Sequence, residues 1–474
     1  MGTSEAGRHI QLMDTTLRDG EQTQGVSFSV NEKVNIARAL LQSLKVDRIE
    51  VASACVSEGE QRAVAQITEW AATAGLLERV EVLGFVDHRR SVDWIVAAGG
   101  KVINLLAKGS EKHCREQLGK TLESHLEGIA RTVDYAKEQG LGVNMYLEDW
   151  SNGYLDSKDY VFALVTGTAG LGIVHYMLPD TLGVFSPAQV SASLADMLRE
   201  FPDKQFDFHP HNDYGLATAN VMAAVDAGIN TIHCTINCLG ERAGNASLEE
   251  IIMGLDTRKD HFGVEINADT TQIYGASRMV SRITGMAVQA NKAIVGENAF
   301  RHASGIHQDG VIKNRSTYEV MQPERVGVPG NTLVLGKLSG RAGLQSRLED
   351  LGYALSREEM AKVFESFKEL ADKKREVTDR DLEILMDEEN RTATEPISYT
   401  LDHVQFSGGD QDIATATVRL IGPDQKSVTD ASTGNGPVDA VCNAIDRVIG
   451  CECELVDFKV QAVTEGMDSI GSVT

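Results

Sequence analysis

The stretch Phe206-Asp207-Phe208-His209-Pro210-His211-Asn212-Asp213 sets the reading of the whole chain. Polar and apolar residues alternate from Gln205 to Phe208, as in a β-strand, where side chains two apart share a face. His209 and His211 therefore project together, and Asn212-Asp213-Tyr214-Gly215 ends the strand. Two imidazoles converging at a strand end suit a divalent cation such as Mn, Zn, Co or Fe. A pair of polar residues at a strand terminus also has a plain structural reading. Carboxylates placed elsewhere in the chain favour the metal.

This strand is the seventh of eight. Working outward, strand patterns cover His9 to Thr16, Arg48 to Ser53, Val80 to Phe85, Lys101 to Ala107, Gly142 to Glu148, Ile173 to Asp180, Gln205 to His211 and Thr231 to Asn237. A helical pattern follows each. The clearest are Asn31 to Leu44, Glu58 to Ala74, Arg115 to Gln139, Pro187 to Glu200 and Gly215 to Ala227. Eight strand-helix units in succession predict a (β/α)8 TIM barrel, since a doubly wound open sheet rarely keeps so even a count.

Past the barrel the rhythm changes. We expect a catalytic barrel over 1–262 and helical linker subdomains over 263–392 that contribute to the active site. A partial C-terminal α/β regulatory module is expected over 393–474. In that module Gly434-Asn435-Gly436-Pro437-Val438-Asp439-Ala440 opens a helix, and Gly471-Ser472-Val473-Thr474 reads as a strand with nothing after it.

Composition narrows the function. A net charge of -24 argues against general binding to nucleic-acid backbones. Seven cysteines in 474 residues make no disulfide framework, and Cys234 and Cys238 read as packing residues in a reducing cytosol. No apolar run is long enough to span a bilayer, and no secretory signal is legible, so a cytoplasmic protein without membrane partners is expected.

In a barrel of this kind chemistry sits where strands end and the following loops begin. The first strand runs into Asp14-Thr15-Thr16-Leu17-Arg18-Asp19-Gly20-Glu21-Gln22, the fifth ends in Tyr146-Leu147-Glu148-Asp149, and the sixth in Leu178-Pro179-Asp180-Thr181. The eighth leads to Gly240-Glu241-Arg242-Ala243-Gly244-Asn245. Asp19, His209 and His211 could supply three metal ligands, with Asn245 as an amide-oxygen donor. The open positions would suit adjacent carbonyl and carboxylate oxygens, and the ion would act as a Lewis acid on the carbonyl. Arg18 is placed to stabilise an alkoxide, Thr181 to hold a carboxylate, and Glu148 to relay a proton. Metal-assisted hydrolysis, or an aldolase or lyase on the same barrel, would use the same parts.

The runs DTTLRDGEQ at 14–22, HPHND at 209–213 and GERAGN at 240–245 together resemble the isopropylmalate, citramalate and homocitrate synthase family of metal-dependent acyltransferases. GNGPVDA at 434–440 resembles the regulatory domain of its isopropylmalate and citramalate members. The resemblance implies a Claisen condensation of acetyl-CoA with a 2-keto acid. It implies Mn2+ or Mg2+, with Zn2+ or Co2+ as further candidates, bound at Asp19, His209, His211 and Asn245. Arg18, Glu148, His307 and Tyr318 take catalytic positions by this likeness. It also implies a homodimer whose arms cross, so that His307 serves the partner barrel. Leu83, Leu106 and Tyr146 fall at strand ends facing the presumed pocket. They are bulky, and each methylene contributes about 1–3 kcal/mol of discrimination, so pyruvate, giving (R)-citramalate, is the expected keto acid. The alternative is 2-oxoisovalerate, giving 2-isopropylmalate. NLLAKGS at 104–110 and YLEDWSNG at 146–153 look like citramalate synthases, whereas HQDGVIKNRSTYE at 307–319 is closer to isopropylmalate synthases. Family members with a full regulatory domain carry two strand-helix units there. One is legible in this chain, so weakened feedback by leucine or isoleucine is expected.

Overall fold

The computed structural model describes residues 7–301, 321–328, 335–337, 339–351, 353, 355–373, 377, 381–382, 385–386, 399–409, 412–450, 460–462 and 471–473. The chain divides into two compact units, 1–356 with 368–378, and 357–367 with 379–474.

The first unit holds a closed barrel of eight parallel strands. These are β1 Gln11–Asp14, β2 Arg48–Ser53, β3 Val80–Phe85, β4 Val102–Lys108, β5 Gly142–Glu148, β6 His175–Asp180, β7 Gln205–Pro210 and β8 Thr231–Cys234. β8 closes on β1 with Cys234 beside Asp14. The outer helices are α1 Val30–Arg38, α2 Glu58–Ala74, α3 Arg90–Ala97, α4 Leu122–Glu138, α5 Lys158–Thr168, α6 Pro187–Glu200, α7 Ala217–Asp226 and α8 Leu248–Thr257. Their starts follow local chemistry. Ser29 and Glu32 form a reciprocal cap on α1. Ser57 caps α2, which ends at Gly75 with φ +70°, a conformation glycine adopts without Cβ strain.

The (β/α)8 expectation holds, and the departures are local. The helix expected over Arg115 to Gln139 is interrupted: Gly119 turns at φ +63°, and Thr121 starts α4 afresh by accepting from the Ser124 amide. Trp150–Asp156 forms an additional short helix before α5. The eighth strand stops at Cys234, because Asn237 and Cys238 adopt left-handed backbone angles that no strand tolerates. The first expected strand splits. Arg8–His9 leaves the barrel to pair with Val264–Glu265 at its foot.

The second unit contains a three-stranded antiparallel sheet, β9 Thr400–Gly409, β10 Asp412–Ile421 and β11 Ser427–Thr433, with the helix Pro437–Ile449 following. Ala440 and Ala444 of that helix and Ala416, Val418 and Leu420 of β10 are buried. Gly471–Val473, which the sequence leaves without a partner, pairs antiparallel with Val460–Ala462. Among the described residues no helix is long and apolar enough to cross a membrane.

Candidate active site

The loop after β1 is shaped from within. Asp14 caps it, accepting from the amide and hydroxyl of Thr16, both at 2.9 Å. Lys33 of α1, fully buried, reaches the Leu17 carbonyl at 3.1 Å and the Val51 carbonyl at 3.3 Å. It also pairs with Glu21 and Glu60, each at 2.6 Å. Arg18 and Asp19 therefore sit on a clamped turn.

His209 lies near the end of β7 and His211 just beyond it, where it forms an isolated bridge with Asn245. The loop carrying Asn245 needs its glycines. A Cβ on Gly240 would lie 1.9 Å from the Asn245 Oδ1, and one on Gly244 1.8 Å from the Cys238 carbonyl oxygen. Asn237, Cys238 and Arg242 hold positive φ in the same loop, a strain of order 1–3 kcal/mol each that the surrounding contacts sustain.

These elements bring Asp19, His209 and His211 together, with one donor atom from each lying within 4.8 Å of the others. Nε2 of His209 is 3.0 Å and Nε2 of His211 3.7 Å from Asp19 Oδ2. Burial opposes charge on Asp19, but the Arg18 guanidinium beside it outweighs burial and holds the carboxyl well below its usual range. Burial lowers His209 and brings His211 down to about 4, so both rings are neutral near pH 7. An ionised carboxylate beside two neutral imidazoles is the donor set a divalent ion takes. Asn245 turns its amide nitrogen on Asp19 Oδ2 at 2.7 Å, and its Oδ1 is buried without a hydrogen-bond partner. Reversing that amide would aim the orphaned oxygen at the same point. The residues fit a metal in charge as well. Arg18 and Arg48 face Asp19, Glu50, Glu81 and Asp207 inside the barrel. That leaves two negative charges in excess, the balance a divalent cation offsets.

The donors open on a cavity of about 220 Å³ at the barrel mouth. Arg18, Asp19, His209 and His211 line one side, and Glu148 and Thr181 also face it. Leu83, Leu106 and Tyr146 complete the wall, packed with Met13 and Met177. Tyr146 is locked: its hydroxyl lies 3.3 Å from Glu50, 3.3 Å from Arg18 and 3.2 Å from His233. Thr181 Oγ1 accepts from the Asp149 amide at 3.0 Å. The expected positions of His307 and Tyr318 lie outside the described residues.

Sequence reading missed several partners. Lys108 on β4 forms an ion pair with Glu148. Glu50 holds Arg18 from below. Arg242 grips Asp213 at 2.7 and 3.0 Å and the Thr181 carbonyl at 2.6 Å, tying three mouth loops together. The available signal was a charged residue within or closing a strand: Glu50 in RIEVAS, and Lys108 closing VINLLAK.

Comparison with known proteins places this geometry. Residues 9–280 match the family described as HMGL-like, 294–375 the homocitrate synthase post-HMGL domain-like family, and 376–474 the LeuA allosteric (dimerisation) domain. The 2-isopropylmalate synthase of Ruminiclostridium cellulolyticum is 43% identical over 98% of this chain and 91% of its own length. That of Carboxydothermus hydrogenoformans is 43% identical over 98% and 90%. Among solved structures, the hydroxymethylglutaryl-CoA lyase of Pseudomonas aeruginosa has a TM-score of 0.51 at 19% identity, covering 60% of this chain and 95% of its own. That likeness is one of fold. Fold and site thus define an HMGL-like barrel enzyme, an acyltransferase that converts the acyl group to alkyl on transfer. The chain belongs to the 2-isopropylmalate synthase family, which is metal-dependent and uses acetyl-CoA.

Proposed function

We propose that the chain condenses acetyl-CoA with 2-oxoisovalerate to give 2-isopropylmalate and CoA, a step of leucine biosynthesis. The observation that carries it is the likeness, over nearly the full chain, to relatives named 2-isopropylmalate synthase. This was the alternative on sequence grounds, and those relatives support it better than pyruvate.

Asp19, His209, His211 and Asn245 would hold a divalent ion, Mn2+ or Mg2+ by preference, which supplies Lewis acidity to the keto group when bound. Arg18, fixed by Glu50, faces the carbonyl oxygen as it takes on negative charge. The Thr181 hydroxyl is left to donate to the substrate carboxylate, since its oxygen accepts from Asp149. Glu148, with Lys108 beside it, moves a proton at the mouth. Proton loss from the acetyl methyl gives an enolate, its carbon bonds to the keto carbon, and water cleaves the thioester to release the thiol. His307, with Tyr318 behind it, is assigned to the thioester end. The arm bearing them would reach the partner barrel of a homodimer, in keeping with the dimerisation domain matched at 376–474.

One observation favours a second reading. Tyr146, held at three points, stands with Leu83 and Leu106 in the keto-acid wall, which leaves space for the methyl of pyruvate and so for citramalate. A thiol-release assay with acetyl-CoA, Mn2+ and a panel of pyruvate, 2-oxobutyrate, 2-oxoisovalerate and 2-oxoglutarate tests both. Preference for 2-oxoisovalerate is expected. A rate confined to pyruvate transfers the assignment to citramalate synthesis. Turnover of a hydroxy acid without acetyl-CoA or thiol release would point to a lyase instead.

A further inference from the structure

Beneath the donor cluster lie side chains that the proposed chemistry leaves unused. Asp207, fully buried on β7, contacts the Arg48 guanidinium through Oδ2 and lies 2.7 Å from His175 Nδ1 through Oδ1. A carboxylate against a guanidinium presents both oxygens as acceptors. His233 Nε2, 3.2 Å from Asp207 Oδ2, is therefore the donor. A neutral imidazole carries one N–H, so Nδ1 of His233 offers a lone pair. That lone pair faces Nδ1 of His209 at 3.2 Å, which must then hold the proton. Nε2 of His209 is left as a lone pair, and it lies 3.0 Å from Asp19 Oδ2. The Asn245 amide nitrogen stands against both acceptors, 3.2 Å from Nε2 and 2.7 Å from Asp19 Oδ2; with that amide reversed, the two acceptors and the amide oxygen are the arrangement a cation joins.

Tyr146 does not compete for the same lone pair. Its hydroxyl has the Glu50 carboxylate within 3.3 Å, a stronger acceptor than imidazole. Its ring stands edge-on to both His209 and His233, with centroids 5.7 Å away in each case. His211 offers a contrast, for its Nδ1 is buried without a hydrogen-bond partner. Of the two imidazole donors, His209 is the anchored one.

We propose that His233 is a positioning residue: it fixes the tautomer and ring orientation of His209, so that Nε2 points at a divalent cation, and Asp207 fixes His233 in turn. This inference rests on the metal reading of the site. An imidazole buttressed by a second imidazole, itself held by a carboxylate, gives His209 an outer partner of the kind that typically changes metal affinity about 10- to 100-fold when removed.

The test is calorimetric titration of Mn2+ into the metal-stripped full-length protein, with thermal melting alongside. In His233→Phe, which keeps a ring but no acceptor, Mn2+ affinity should fall about 10- to 100-fold. His233→Asn, whose amide oxygen reaches the place of Nδ1, should recover most of that loss while melting no higher than the Phe variant. If His233→Phe does not fold, His233→Gln carries the same expectation as Phe, because its amide can reach Asp207 but leaves His209 without an acceptor. A folded Phe or Gln variant with wild-type Mn2+ affinity overturns the proposal, as does an Asn variant as weak as either. Absence of Mn2+ binding in the wild type would sink the metal reading itself, a distinct result.

Discussion

The two faces of the barrel sheet are opposites. Outward, between strands and helices, stand Ile49 and Val51 of β2, Ile103 and Leu105 of β4, Val143 and Met145 of β5, Phe206 and Phe208 of β7, and Ile232 of β8, all in one continuous apolar core. Inward, on the same strands, stand Arg48, Glu50, Asn104, Asn144, Asp207, His209 and His233, joined by hydrogen bonds and ion pairs. One face is held by area removed from water and tolerates shape changes at a graded cost. The other is held by mutual satisfaction of polar groups, where removing one member strands its partners. The proposed chemistry draws on the second face, where several charges are held dry at fixed distances around one point.

The comparison breaks most sharply at the mouth. His211→Ala should cost at least about a thousandfold in thiol release, the several kcal/mol a Lewis acid contributes, with little change in melting. Steady-state rates and calorimetric Mn2+ titration check it; a variant of normal affinity and rate would detach the inward face from function. One layer down, Arg48→Met leaves Glu81 and Asp207 buried without their common cation. The expected loss is about 3–5 kcal/mol by denaturant unfolding. On the outward side, Ile67→Ala in α2, at a fully buried position, should cost about 2–4 kcal/mol and leave Mn2+ affinity unchanged. If Ile67→Ala weakens Mn2+ as much as Arg48→Met does, the two faces are not independent.

This inversion also marks what the sequence could and could not tell. The eight-unit rhythm was legible because the outward residues repeat at strand spacing and several helices start at a capping Ser or Thr, as at Ser29, Ser57 and Thr121. Asp19, His209, His211 and Asn245 were legible as ends of strands or loops in recognisable runs; the structure brings donor atoms of the first three together and sets the Asn245 side-chain amide beside Asp19. The polar interior was not. A strand with one polar face reads alike whether that face meets water or seven other strands, so Glu50, Asp207 and His233 drew no reading from the sequence. Tyr146 shows the same limit at one residue. Its position on the wall followed from its place near a strand end, but the approach of its hydroxyl to Glu50 and His233 depends on neighbours 96 and 87 residues away. Lys108 went unread for a similar reason: its partner Glu148 is 40 residues on, in register only because β4 and β5 run parallel.

The smallest effect separates the faces most cleanly. Ser29 accepts from the Glu32 amide at 3.4 Å, and Glu32 returns the contact to the Ser29 amide at 2.7 Å, which starts α1. Ser29→Ala removes one half of that exchange, at an expected cost of about 1 kcal/mol. The cap is exposed and belongs to the outer layer, yet α1 also carries Lys33, whose ammonium clamps the Leu17 carbonyl just before Arg18 and Asp19. If Lys33 is fixed by its own four contacts rather than by the cap, Ser29→Ala lowers stability and leaves Mn2+ affinity and turnover alone. A loss of affinity out of proportion to the loss of stability would mean that the start of α1 sets the position of Asp19. The outer layer would then reach into the site through a single lysine.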